Sequence, residues 1–295
     1  MMVSLRALAL TAVAVAALSG AASAADLLPP PPPMEAPQPY PVSDSSGWYL
    51  RGDVGVGVNA NPGFSTNAPY PVGGSDGHYN STLSESALFD AGVGYQFNHW
   101  FRADVTGELR GGASLQDLEV CGNCNGAGSQ NSDFYRANLS SYIGMVNGYV
   151  DLGTWSGFTP YVGAGVGVAY NRMSGATDIG NSYPNAYAGQ PGYPTGGYFN
   201  DAGKINFAWA LMAGTSFDVT RNLKLELGYR YLNYGSAKSG GSNCLSGQGT
   251  PAFNCQSFNL KASQLASNDF HIGLRYYFDV PTPAPVYDQP LVRKY

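Results

Sequence analysis

The feature that most constrains this chain is the alternation of residues 269–278, DFHIGLRYYF. Phe270, Ile272, Leu274, Tyr276 and Phe278 fall on one row, and His271, Gly273, Arg275 and Tyr277 on the other. A period of two is a β-strand with one greasy and one polar face. The greasy row ends in aromatics and the polar row carries charge. That division suits a strand between lipid and a polar barrel interior.

Seven further stretches repeat the pattern. They are residues 47–58, 87–97, 101–110, 138–152, 160–170, 205–217 and 223–234. In 101–110, Phe101, Ala103, Val105 and Leu109 alternate with Arg102, Asp104, Glu108 and Arg110. In 160–170 three glycines, Gly163, Gly165 and Gly167, share the inner row and leave room for bulky side chains from neighbouring strands. Residues 138–152 have apolar residues on both rows, Leu139, Ile143 and Met145 against Tyr142, Val146 and Val150, so either row could face outward.

The connections alternate between long and short. Residues 59–86, 111–132, 171–203 and 235–268 are rich in Gly, Asn, Ser, Pro or Tyr and read as four long loops. The other three connections are short turns. Eight strands, long external loops and short periplasmic turns predict an all-β, eight-stranded antiparallel transmembrane β-barrel. In lipid every backbone polar group needs a partner, so the sheet has to close on itself. Both chain ends then fall on the periplasmic side.

Composition agrees. Charged residues are 12% of the chain, about half the usual share for a soluble domain. The net charge of −5 gives no support to nucleic-acid binding. Arg6 precedes an apolar run and then small residues, which predicts a signal peptide over residues 1–24. The proline-dense residues 25–46 read as a stiff periplasmic tether or, equally, as a disordered leader with no partner, and 47–278 as the barrel. Residues 279–295 form a proline-rich periplasmic tail.

The polar rows carry Arg51, Asp53, Asp90, Arg102, Asp104, Glu108, Arg110, Lys224, Glu226, Arg230, His271 and Arg275. A soluble sandwich would turn this row to water and bury the other. The loop rhythm, the aromatic strand ends and the export signal favour the barrel. An eight-stranded barrel is just wide enough to be filled by side chains, so these residues are expected to pair across the interior and leave little open pore.

Cys121, Cys124, Cys244 and Cys255 allow three pairings, and export favours disulfides. Cys244–Cys255 would staple one loop, and Cys121–Cys124 would close a short, strained ring. His78, His99 and His271 lie in a loop, a turn and a strand, with no nucleophile or metal trio about them. No enzyme, metal or cofactor is expected.

Segments GWYLRGDVGVGV (47–58), GYVDLGTW (148–155), TPYVGAGVGVAY (159–170), LELGYRYLNYG (225–235) and RYYF (275–278) resemble the small porin-like outer-membrane proteins of alphaproteobacteria. These are abundant in Brucella and Bartonella and sit in the broader OmpA-like class of barrels. The resemblance covers residues 47–278 and implies outer-membrane lipid and lipopolysaccharide as surroundings. It also implies insertion by the barrel-assembly machinery, which reads a terminal aromatic signal, here Tyr276 and Phe278. The tail after Phe278 departs from that pattern. Cleavage after Ala24 would begin the chain at Ala25-Asp26, and similar starts are crosslinked to peptidoglycan through the alanine. Three roles are compatible with this reading: a structural envelope protein, a narrow diffusion channel, or a receptor or adhesin acting through the long loops.

Overall fold

The computed structural model describes residues 46–68, 75–124, 127–184, 188–189, 191–245 and 257–278. Ala25, the tether, Cys255 and the tail lie outside the described residues.

Eight long strands form the wall: β1 (Gly47–Asn59), β4 (Ser86–Gln96), β5 (Phe101–Gly122), β6 (Gln130–Asp151), β7 (Phe158–Tyr183), β9 (Ala202–Asp218), β10 (Leu223–Lys238) and β12 (Leu260–Tyr277). Each pairs antiparallel with the next, β7 pairs with β9, and β12 returns to β1, so the sheet closes. Among the described residues, four short strands lie within the long connections: β2 (Gly63–Thr66), β3 (Ser75–Leu83), β8 (Tyr193–Phe199) and β11 (Ser242–Cys244). They pair with β12, β5, β7 and β8 respectively.

The eight expected strands and their order are present, and much of the expected long loops is not loop. Residues 111–122 and 130–137 continue β5 and β6, 171–183 continue β7, and 260–268 begin β12. A strand of about ten residues crosses the hydrocarbon. The 22 residues of β5 and β6 and the 26 of β7 are roughly twice that. The excess forms a β-structured extension, here called the crown, opposite the short turns.

β-Bulges mark the boundary. Two residues of β5, Gly111 and Gly112, face one of β6, and two of β7, Gly175 and Ala176, again face one of β6. β10 shifts register around Gly235, and β12 carries Gln264 at φ 57°. Gly112, Gly175 and Gly235 have φ of 82°, 59° and 91°, the left-handed region open to glycine. Each inserted residue exchanges the two faces of its strand. On β5 the inward row is Arg102, Asp104, Thr106, Glu108 and Arg110 below the bulge, and Ala113, Leu115, Asp117, Glu119 and Cys121 above it.

The outward row between short turns and bulges is an apolar belt. It includes Leu50, Val54, Val56, Phe89, Val105, Val146, Val166, Phe207, Leu211, Leu227 and Ile272, all exposed. On β6 the row Tyr142, Val146 and Val150 faces out, and Leu139, Ile143 and Met145 face in, which resolves the phase left open by the sequence. Aromatic side chains gather at the short-turn end, with Trp48 against Tyr95, Phe97 against Phe101 and Phe158 against Phe217 at ring-centroid distances of 5.2, 5.4 and 5.1 Å. Such girdles mark a membrane interface.

Candidate functional site: a filled interior beneath a crown

Three layers of ion pairs fill the barrel below the bulges. Nearest the short turns, Arg275 and Arg102 share Glu226 at 2.9 and 3.4 Å, and Arg102 also reaches Asp151 at 3.2 Å. The Arg102 guanidinium lies over the rings of Tyr149 and Tyr161, at 4.0 and 4.7 Å. In the middle layer Arg51 bonds Asp53 (2.8 Å) and Asp104 (3.2 Å) and donates to the Tyr149 hydroxyl at 2.7 Å. Asn147 and Tyr49 donate to the same Asp104, at 2.8 and 3.1 Å. In the third layer Arg110 and Arg230 each bond both Glu108 and Asp269, the Asp269 contacts being 2.6 and 2.7 Å. Asp90 lies 3.6 Å from Arg230.

Most of the charges come from β1, β4, β5, β10 and β12; β6 adds Asn147, Tyr149 and Asp151 and β7 adds Tyr161, while the rest of the inward rows of β6, β7 and β9 is mostly smaller or apolar. Ala208, Ala210, Ala169 and Met145 are buried there. A Cβ at Gly163 would sit 2.6 Å from the Tyr149 ring, and one at Gly94 would enter the Tyr49 ring. The glycines therefore admit the tyrosines that wrap the arginines. A cavity of about 10 Å³ lies among Arg51, Asp90, Tyr149, Arg230 and His271. That is at the lower limit for one water molecule.

Eleven of the twelve row residues named from sequence face this interior together. Lys224 instead sits at the rim and bonds Asp218, its partner at the end of β9, at 2.5 Å. His271 lies inward between Gly55 and Gly228, its partners on the adjacent strands. Sequence reasoning put Tyr49 on the polar row of its strand and Tyr161 on the glycine row of its own, but left both out of the interior network, along with Asp151, Asp269, Asn147, Tyr149 and Tyr234, whose ring lies 5.3 Å from the Arg110 guanidinium. Asp269 shares the parity of His271 and Arg275, so the signal was present in the alternation itself. Tyr276 and Phe278 point outward at the short-turn end, both exposed. Cys121 and Cys124 form a disulfide at the crown end of β5. Cys244 ends β11 and is also disulfide-bonded.

Above the bulges the inside becomes apolar. Phe64, Leu83, Leu115, Tyr135, Ala137, Met173, Phe199, Leu260 and Leu265 are buried in one cluster, with Phe258 packed against it. Tyr135 stacks on Phe64 (5.5 Å) and meets Phe199 edge-on (6.2 Å). Acidic groups line the crown above this core. Asp117 accepts from Ser81 and pairs with His78 at 2.7 Å, and Tyr135 donates to Glu119 at 2.9 Å. The bond to Asp117 raises the His78 pKa. Burial, with Asp133 and Glu119 nearby, pushes Asp178 up to about 8. Burial and Glu119 push Asp133 to about 6.

The sequence profile of the outer membrane protein beta-barrel domain matches residues 7–278. An uncharacterized protein of Brucella abortus is 31% identical over 279 residues, 88% of this chain and 93% of that protein. A candidate adhesin of Rickettsia prowazekii is 26% identical over 194 residues, 65% of this chain and 74% of its own length. Among solved structures, Neisserial surface protein A aligns over 80% of this chain and 100% of its own at TM-score 0.41 and 13% identity. The profile match over residues 7–278 and the Brucella abortus relative, with the closed eight-stranded sheet and its apolar belt, establish that the chain belongs to the outer membrane protein β-barrel domain family, a protein of the Gram-negative outer membrane.

Proposed function

We propose that this protein is a non-conducting outer-membrane barrel whose working part is the crown, held outside the cell as a rigid surface for binding other surfaces. The observation that carries this reading is the interior. Ion-paired side chains fill it below the bulges and an apolar cluster fills it above, so a solute path would require breaking both. The barrel is then an anchor, and the part that differs from a minimal anchor is the crown. Its strands are paired as far as Gly122, Gln130 and Tyr183, which holds these residues more rigidly than open loops of equal length and lowers the entropy lost on binding. The likeness to a candidate adhesin supports the same class of role. Short turns and both chain ends face the periplasm in this reading, where the proline-rich segment before β1 and Ala25 would be available for attachment to peptidoglycan. The protein is a binding and structural element of the envelope, and not an enzyme.

The test is surface display in a non-adherent Gram-negative host, with attachment to cultured eukaryotic cells counted for the full chain and for a variant with the tips of β5–β6 and β7–β8 shortened to tight turns. Attachment lost in the variant, with its heat-shift on gels kept, is the expected result. Equal attachment of both proteins would remove the crown from the function. Steady single-channel conductance of the purified barrel in a planar bilayer would replace this reading with a diffusion channel.

A further inference from the structure

The lipid-facing wall is not uniformly smooth. Gly107 of β5 and Gly144 of β6 are register partners, both face outward, and nothing lies within 4 Å of where a Cβ would stand on either. They floor an open recess of about 470 Å³, lined by Val168 and Ile205 and bordered on the crown side by Tyr142 and Tyr170. These tyrosines are paired across β6 and β7, with ring centroids 6.2 Å apart. They also form the floor of a second, polar recess of about 480 Å³, which contains Arg172 and Asp201. The two recesses form one groove, apolar within the belt and charged at its crown-side edge.

The charged end is held in place. Asp201 accepts from Arg172 Nη2 at 2.9 Å through one oxygen and from the Gly175 amide at 3.1 Å through the other. Both carboxylate oxygens are thus engaged and fix the guanidinium. Arg172 is 51% exposed, and Asp201 engages its Nη2, one nitrogen of a five-donor guanidinium. A Cβ on Gly203 would enter the Tyr170 ring, so this glycine lets the ring lean toward Arg172. An acyl chain fits the recess over Gly107 and Gly144, a glycosidic or glycerol backbone fits against the tyrosines, and a phosphate matches an arginine fork.

We propose that this groove is a binding site for lipid A, the phosphorylated, multiply acylated glycolipid of the outer leaflet, with one acyl chain in the glycine-floored recess and a phosphate on Arg172. The site continues the membrane-facing belt, and its charged edge lies on the crown side. The proposal rests on the outward crown of the preceding section only for which leaflet supplies the lipid. In detergent, where leaflets do not exist, the site is tested independently of that orientation.

The experiment is native mass spectrometry of the refolded full chain in detergent with equimolar lipid A and phosphatidylglycerol. Arg172→Ala and Gly144→Leu are measured beside the unmodified protein. The unmodified barrel is expected to keep one lipid A, and each variant to keep at least tenfold less with an unchanged heat-shift. Gly144→Leu adds its side chain into open space on the lipid side, and Arg172→Ala leaves the recess intact, so a folding failure in one leaves the other to decide. Equal lipid A retention by all three proteins would overturn the site. Retention of phosphatidylglycerol as strong as that of lipid A, lost in the same variants, would overturn the choice of ligand.

Discussion

The interior of the membrane-embedded barrel and the interior of the crown are built from the same strands with opposite chemistry. Below the bulges, charge fills the inside and apolar residues cover the outside. Above them, the inside is Leu115, Tyr135, Phe199 and Leu260, as in a soluble protein. The difference follows from the surrounding solvent. In hydrocarbon, burying a leucine inside a barrel gains little over leaving it against lipid tails, so apolar packing cannot say which row belongs inside. Polar groups can, because an unpaired charge facing lipid is costly. Outside the membrane the wall faces water, the hydrophobic effect returns, and an apolar core becomes the cheaper way to close the same sheet.

The largest expected break in this comparison is Arg230→Leu. It would leave Glu108, Asp269 and Asp90 short of a partner, and removing one member of a buried charge set costs about 3–5 kcal/mol. Urea unfolding in liposomes should show the loss across the whole barrel. Leu115→Ala should cost about 2–5 kcal/mol by creating a cavity, confined to the crown. Limited proteolysis should then cut crown segments while the heat-shift persists. Global unfolding of this variant would merge the two regions into one cooperative unit.

Two outward residues sharpen the contrast further. Val166→Arg, within the apolar belt, is expected to cost about 2–4 kcal/mol, whereas Ile179→Arg on the crown, where the residue is 70% exposed, should stay within about 0.5 kcal/mol. Equal costs would place Ile179 in lipid and move the boundary above the bulges.

The last contrast is pH-dependent. Asp178 and Asp133 have folded pKa values of about 8 and about 6, above the ordinary value near 4. The folded crown therefore binds more protons than the unfolded chain between pH 4 and 8, and its stability falls as pH rises through that window. Amide exchange in crown strands should quicken from pH 5 to 8 beyond its chemical rate. Asp178→Asn should flatten the trend, and an unchanged trend would exclude Asp178 as its source.

Alternation is a local property, and wherever it ran unbroken the sequence determined the structure. It set the eight strands, their order, the inward parity of Arg51, Arg102, Glu226 and Arg275, and the membrane setting of the belt. It stopped being legible at the bulges, because a single inserted residue exchanges the faces, and Ala113, Leu115 and Asp117 then no longer continue the row of Glu108 and Arg110. Beyond that point the outer face meets water, so both faces of the strand contain polar residues and the composition resembles loop. The identity of each partner was also beyond local reading. Arg230 meets Glu108 across 122 residues of sequence, and Arg110 meets Asp269 across 159. Only closure of the sheet brings those walls within reach, and only the tertiary structure decided which charges would neutralise one another.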